Sequence, residues 1–290
     1  MKVLRSNLDR SVNFAIPRGE GYFEARFVRR EADYFIVYLS SQSGCDKACR
    51  MCHLTATGQT FQDQASQADF ERQAELVLDT YKRDAEPARR VNFNWMARGE
   101  PLQNPALLGA WKSLSQNLAD KARSCDLAPT FNISTIFPAG FDRDLAETFA
   151  GPHRPVLFYS LYSLDPVWRK RWLPKAENPE IVLPRLAEWQ ARTDGEVVLH
   201  WAFISGENDD EDGARAIAAA VRRHGLRMRF NLVRYNPHGS RHGVEPDEAV
   251  LVRNLEILGE SAALPGTRIV PRVGFDVKAS CGMFVDKKAI

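Results

Sequence analysis

Extremes are missing from this sequence, and each absence closes a possibility. No run approaches the ~18 consecutive apolar residues that a membrane-spanning helix needs, and the start, Met1-Lys2-Val3-Leu4-Arg5, has no apolar core for a secretory signal. The chain is therefore expected in the cytoplasm, with no membrane partner. An excess of one charge sign is also absent: 39 basic against 37 acidic residues leave a net charge of +2. Dedicated nucleic-acid binders are usually more basic, so any RNA contact must come from local patches. Cysteine is scarce, at five residues, an odd number that speaks against a disulfide framework and for metal or catalysis. Internal repeats, low-complexity tracts and long linkers are missing too. What remains is a 290-residue chain, 44% hydrophobic and 26% charged. That is ordinary globular composition, at a length suited to one α/β barrel of ~250 residues.

The hydrophobic pattern alternates between strand and helix. Strands are predicted over 34–41, 90–96, 130–135, 155–162, 197–204 and 226–235, with a further edge strand over 267–273. Between them, Phe70, Ala74, Val77 and Tyr81 share one helical face over 66–81, and Leu107, Trp111, Leu114 and Leu118 share another after Asn104-Pro105. Shorter or later helices are predicted over 142–149, 179–192, 208–225 and 246–258, with 163–178 as a loop. Ahead of these, 11–16 and 22–28 flank Pro17-Arg18-Gly19-Glu20-Gly21 as a β-hairpin. The expected class is α/β: a parallel sheet, doubly wound or curled into a partial barrel, spanning 33–290 behind a β extension over 1–32. In either sheet, ligands bind beyond the carboxyl ends of the strands.

Three of the five cysteines, Cys45, Cys49 and Cys52, lie on the loop after the first strand. Three thiolates so close can grip three irons of a 4Fe–4S cluster and leave the fourth iron free for a small ligand. A structural zinc site wants four ligands. His53, adjacent to Cys52, is badly placed to be the fourth, so zinc would have to recruit Cys125 or Cys281.

Cys45-x3-Cys49-x2-Cys52 after strand one resembles the radical S-adenosylmethionine (SAM) superfamily. Further segments resemble its RlmN/Cfr subfamily, enzymes that methylate carbon 2 or carbon 8 of adenine in RNA. They are Ser40-Ser41-Gln42-Ser43-Gly44-Cys45, Ala56-Thr57-Gly58, Arg98-Gly99-Glu100-Pro101-Leu102-x-Asn104 and Ile133-Ser134-Thr135. Tyr159-Ser160-Leu161, Tyr235-Asn236-Pro237 and Gly274-x-Asp276-Val277-x-Ala279-Ser280-Cys281-Gly282 complete the series in family order.

The resemblance implies a partial (βα)6 radical SAM barrel with a small N-terminal β-hairpin extension. It implies a 4Fe–4S cluster on Cys45, Cys49 and Cys52, and SAM chelated to the open iron. Electron transfer from the cluster would cleave SAM to a 5′-deoxyadenosyl radical. Gly99, Glu100, Ser134, Ser160, Leu161, Tyr162 and Asn236 would contact SAM, with Glu100 accepting from its ammonium. Cys281 would be the methyl carrier: methylated by one SAM, then activated by a radical from a second, then added to the base. Glu24 matches the family's proton acceptor. The implied partners are RNA (rRNA or tRNA) and a flavodoxin-type or other low-potential electron donor, with the enzyme a monomer. Taken singly, Gly99-Glu100 also reads as a solvated turn, Cys281 as a buried apolar residue and Glu24 as an exposed strand carboxylate.

Three departures stand out. The family's second cysteine, which releases the product, is replaced by Tyr38, and Cys125 precedes strand three at the other end of the barrel. The family's helical accessory domain is not expected ahead of the extension. Tyr162 stands where the family usually has histidine. Basic candidates for phosphate are Arg26, Arg29 and Arg30; Arg169, Lys170 and Arg171; Arg222, Arg223, Arg227 and Arg229; and Lys287-Lys288. Tyr38, Tyr162, Trp168 and Trp172 could stack a base or pack the core. Two other readings stay open: the same radical acting on a nucleotide, peptide or metabolite, and a cluster- and SAM-binding protein without turnover.

Overall fold

The computed structural model describes residues 1–83, 86–239 and 242–286. Among them, ten strands form one sheet whose spatial order is the sequence order. The first three, β1 (Lys2–Arg5), β2 (Val12–Arg18) and β3 (Gly21–Glu31), pair antiparallel and lead to β4 (Tyr34–Tyr38). From β4 every pairing is parallel, through β5 (Arg90–Trp95), β6 (Ala128–Thr135), β7 (Val156–Tyr159), β8 (Val197–Trp201), β9 (Met228–Val233) and β10 (Arg268–Val270). Helical crossovers join these strands. Such connections are right-handed, so they leave the helices on one side and curl the sheet toward a barrel. The hairpin and the six parallel strands β4 to β9 are thus present as expected, with β10 added on the edge and β1 unforeseen.

Side-chain alternation decides the two faces. Phe35 and Val37, Val91, Phe93 and Trp95, Phe131 and Ile133, Leu199 and Trp201 all point outward into the main core. There they meet Phe70, Ala74 and Val77 of α1 (Gln67–Arg83), Leu114 and Leu118 of α2 (Trp111–Arg123), and Ile217 and Val221 of α3 (Glu211–Arg223). Each buried Phe or Leu contributes about 1.5–3 kcal/mol over exposure. The alternate residues, among them Ile36, Tyr38, Asn94, Asn132, His200 and Asn231, face a cavity inside the barrel.

Two helices differ from expectation. The apolar stripe 107–118 belongs to two segments, Pro105–Gly109 and α2, because Ala110 leaves the helical region at φ −128°, ψ 23°, while Leu107 and Trp111 stay in the core. Within the expected loop, Pro166–Trp172 is helical, capped by the Asp165 carboxylate, which accepts from Val167 N–H. Every parallel strand except β6 also stops one to three residues short of its predicted end. Leu39, Ala97, Leu161, Ile204 and Tyr235 stay buried beyond the ladder, so hydrophobicity continues where strand pairing has ended. Beyond β10 the chain returns across β3 and β4, where Val277 and Ala279 pack on Val28, Tyr34 and Ile36.

Candidate active site

The cysteine loop connects β4 to a single helical turn, His53–Ala56. Cys45 N–H donates to the Gln59 carbonyl at 3.0 Å and Cys52 N–H to the Cys49 carbonyl at 3.0 Å, which folds the loop back on itself. Ala48 takes a left-handed φ of 57° to allow the turn. Met51 is buried against Ile136, Trp168 and Trp172. All three thiols are free and line the same cavity of about 240 Å³. Burial first, then the neighbouring Cys52, pushes the Cys45 thiol up to about 12, and burial with Cys45 and Cys52 raises Cys49 well above the ordinary thiol range. Cys52 is raised by burial as well. Three crowded, buried, unbridged thiols suit a cationic centre that displaces their protons. Among the described residues no three His, Cys, Asp or Glu side chains are grouped to hold a metal ion. Three thiols on one loop can each take a separate corner of a multi-iron cluster. His53 is turned away: its Nε2 lies 3.0 Å from the Asn236 carbonyl, and burial lowers the ring to about 4.

The strand ends supply the cavity's next wall. Gly99, Glu100, Ser134, Ser160 and Tyr162 line it. Glu100 is 4% exposed, and its carboxyl accepts from Leu102 N–H at 3.0 Å and Ile136 N–H at 3.2 Å. Burial pushes Glu100 up to about 7 despite these donors and Thr135, so a cation placed there would draw it fully into the carboxylate form. Gly99 makes the approach possible. Its φ is +95°, and a Cβ would stand 2.5 Å from Ser41 Oγ and 2.7 Å from Gln42 N. Gly99→Ala is expected to cost about 1–3 kcal/mol of stability and to weaken SAM binding by displacing Glu100. Thermal melting and a SAM titration check it; unchanged affinity would show that the turn does not set the pocket. Tyr162 holds a φ of 61° and stacks on Trp168 at 5.9 Å. Burial, then Cys281 and Cys49, raises its phenol well above normal.

Cys281 reaches the cavity from the carboxyl-terminal segment and is exposed there. It also borders a small neighbouring pocket beside Asn236 and Arg272. Burial, then Cys52, pushes its thiol up to about 11 against the opposing pull of Arg26 and Arg30. Its loop is tied down on every side. The Cys281 carbonyl accepts from Asn236 Nδ2 at 2.9 Å, the Gly282 carbonyl from His53 N–H at 3.0 Å, and the Met283 carbonyl from Arg26 at 2.7 Å. The Val285 carbonyl accepts from Arg98 at 2.6 Å and Gln59 at 3.1 Å.

Three expected site residues are placed otherwise. Glu24 is not a cavity carboxylate. It is fully buried, with one oxygen accepting from Arg98 Nε at 2.7 Å and Val285 N–H at 2.9 Å, the other from Arg26 at 2.7 Å and Asn13 at 2.8 Å. Burial alone would raise it, but Arg26, Arg98, Asn13 and Val285 N–H together hold it below the usual range. A proton acceptor needs a free oxygen facing its donor, and Glu24 has neither. Leu161 lies in the main core outside the cavity wall. Asn236 serves the Cys281 loop, with its side-chain oxygen accepting from Arg272 at 2.8 Å. Tyr38 does share the cavity with Cys281 and accepts from Arg30 at 3.3 Å; Cys125 does not line it.

Among the described residues, three of the basic candidates are internal. Arg26, Arg29 and Arg169 are buried, and Arg169 donates to the Leu161 and Glu177 carbonyls. Arg171, Arg223, Arg227 and Arg229 pair with Glu207, Glu180, Asp194 and Glu196. Lys170 and Arg222 are exposed, and Lys287-Lys288 lie outside the described residues. Trp168 and Trp172 stack on each other at 5.6 Å inside the core. The cations that do face the cavity are Arg26, Arg30, Lys47 and Arg268. Sequence reading missed Asn13, Gln59 and Lys47 entirely, and quoted Arg98 only as part of a motif.

No protein-family model matches the chain. Among curated proteins it is 26% identical over 266 residues to the dual-specificity RNA methyltransferase RlmN of Wolinella succinogenes, covering 91% of this chain and 70% of that one. It is 28% identical to RlmN of Nitratiruptor sp., over 90% of this chain and 70% of the relative. Its fold matches a crystal structure of a radical SAM methyltransferase from Sphaerobacter thermophilus, with a TM-score of 0.79 at 18% identity, over 98% of this chain and 80% of the other. SuiB from Streptococcus suis matches at 0.52 and 15% identity, over 79% of this chain and 46% of that structure. The barrel, with its thiol loop after the first parallel strand, shares the fold of that radical SAM methyltransferase. The sequence relatives narrow the class: the chain is an RlmN/Cfr-like radical SAM enzyme. Among the described residues no helix is long and apolar enough to cross a membrane.

Proposed function

We propose that this enzyme methylates a ring carbon of adenine in RNA, rRNA or tRNA, with Cys281 as the methyl carrier. One observation carries the reading: the Cys281 thiol opens into the cavity that Cys45, Cys49 and Cys52 line. The RlmN names of the relatives supply the substrate class. Cys45, Cys49 and Cys52 would hold a 4Fe–4S cluster, and Gly99, Glu100, Ser134, Ser160 and Tyr162 would hold SAM beside it, the Glu100 carboxylate taking the ammonium. When bound, the cluster and SAM supply reductive cleavage of the sulfonium and with it a hydrogen-abstracting radical. Cys281 loses its thiol proton on methylation, and Arg26 and Arg30 ease that loss. The methylated sulfur then presents its carbon to the base. A route through sulfur suits the target, because the amidine carbon of adenine is no nucleophile and would not take a methyl group by displacement. A low-potential donor of the flavodoxin type would reduce the cluster of the monomeric enzyme.

Anaerobically reconstituted enzyme, given methyl-labelled SAM, a reductant and RNA, tests the reading. Label is expected on Cys281 and then in RNA. Deoxyadenosine without methyl-Cys281 would point to a radical enzyme for another substrate. An intact cluster that never cleaves SAM would point to a binding protein without turnover.

A further inference from the structure

Barrel interiors are usually filled by bulky branched apolar side chains. Here the interior faces of four parallel strands carry Asn94, Asn132, His200 and Asn231, all on the wall of the active-site cavity. Asn132 Nδ2 donates to Asn94 Oδ1 at 2.7 Å, which fixes that pair as a rung. The other two are different. His200 and Asn231 are register partners on β8 and β9, and Asn231 is the partner of Arg268 on β10. The buried atoms His200 Nδ1, Asn231 Oδ1 and Arg30 Nε have no hydrogen-bond partner among the described residues. Folded chains rarely leave such atoms unpaired without a ligand or water to meet them.

We propose that this interior floor is a nucleobase subsite, in which Asn231 and His200 meet the polar edge of an unpaired adenine while Arg30 and Arg268 hold its phosphate. The inference rests on the RNA reading above and gives it a place. Asn231 Oδ1 can only accept, so the ligand must offer an N–H. His200 is held neutral, its ring lowered to about 4 by burial and then by the charge of Arg30; a neutral imidazole donates at one nitrogen and accepts at the other. An amine beside a ring nitrogen, as on adenine, matches that pair. Among the described residues Arg268 has only a long 3.7 Å pairing with Glu31, and guanidinium groups suit phosphate. Arg30 is near enough to Cys281 and His200 to act on both, so a base seated here stands within the carrier's cavity.

The test is equilibrium binding to reconstituted holoenzyme at saturating SAM without reductant, which keeps adenine probes off the SAM site. The probes are 5′-AMP, adenosine, 5′-GMP and a short adenine-containing single-stranded RNA. Asn231→Leu and His200→Phe are each expected to weaken AMP and the oligonucleotide about 5- to 30-fold, with SAM affinity retained, and to erase the preference for AMP over GMP. In the wild type, adenosine should bind more weakly than AMP, a comparison that needs no variant to fold. Wild-type binding that neither substitution alters would overturn the subsite and leave the RNA reading standing. A wild type that binds SAM but neither AMP nor the oligonucleotide would overturn both. Tight AMP with no oligonucleotide binding would support the subsite and make a free nucleotide its occupant.

Discussion

Glu24→Gln is expected to destabilise the enzyme by about 3–5 kcal/mol, because it leaves two buried guanidinium groups without their counter-charge. Arg26 and Arg98 are each 2% exposed or less at the side chain, as is Glu24 itself. The carboxylate also holds Val285 N–H, and the same two arginines hold the Met283 and Val285 carbonyls. Loss of Glu24 therefore loosens the segment that presents Cys281. Urea denaturation should show the lost stability, and alkylation of Cys281 in the folded protein should speed up relative to Cys125. The pH dependence has a definite sign. Glu24 is held below the ordinary carboxylate value in the fold, while the unfolded chain titrates near ~4.3. Its stabilisation is thus complete above ~4.3 and fades as pH falls through the lower folded value. The variant should lose that share of the acid limb. Wild-type stability together with unchanged Cys281 labelling would sink the clamp.

That clamp also shows where sequence reading stops. The thiol triplet was legible because its members lie within one loop, and the parallel strands because their outer faces are apolar and their helices carry clear caps, such as Asn104-Pro105. The strand ends were overrun because burial persists past the ladder at Leu39, Ala97 and Ile204. Of the site residues, Ser160 and Tyr162 occupy such an overrun, beyond β7. Glu24, by contrast, meets Asn13, Arg98 and Val285 only after four distant segments converge, and an ion cluster assembled that way leaves no local signature. Arg26 read as surface charge for the same reason. The interior asparagines were half visible. Asn92 and Asn94 alternate with Val91, Phe93 and Trp95, but only the curl of the sheet shows that the polar side faces a cavity.

Cys281→Ala is expected to abolish methyl transfer to RNA while the cluster still forms on Cys45, Cys49 and Cys52 and SAM is still cleaved. Among the described residues no other free thiol outside that trio lines the cavity, so no second thiol is placed to take over as carrier. Methylated RNA from this variant would remove Cys281 from the reaction. The wild type carries a related consequence. Once the carbon bridges Cys281 and the base, release needs a thiol to attack the Cys281 sulfur. The family position for that thiol is Tyr38, on the same cavity wall and within hydrogen-bond reach of Arg30. A phenol cannot form the disulfide, so wild-type enzyme should stop after one turnover with RNA joined to Cys281, visible by mass spectrometry. Tyr38→Cys should let the adduct resolve into a disulfide with Cys281 and, with a thiol reductant present, turn over repeatedly. Repeated turnover by the wild type, with no trapped adduct at any time, would show that release here needs no second thiol.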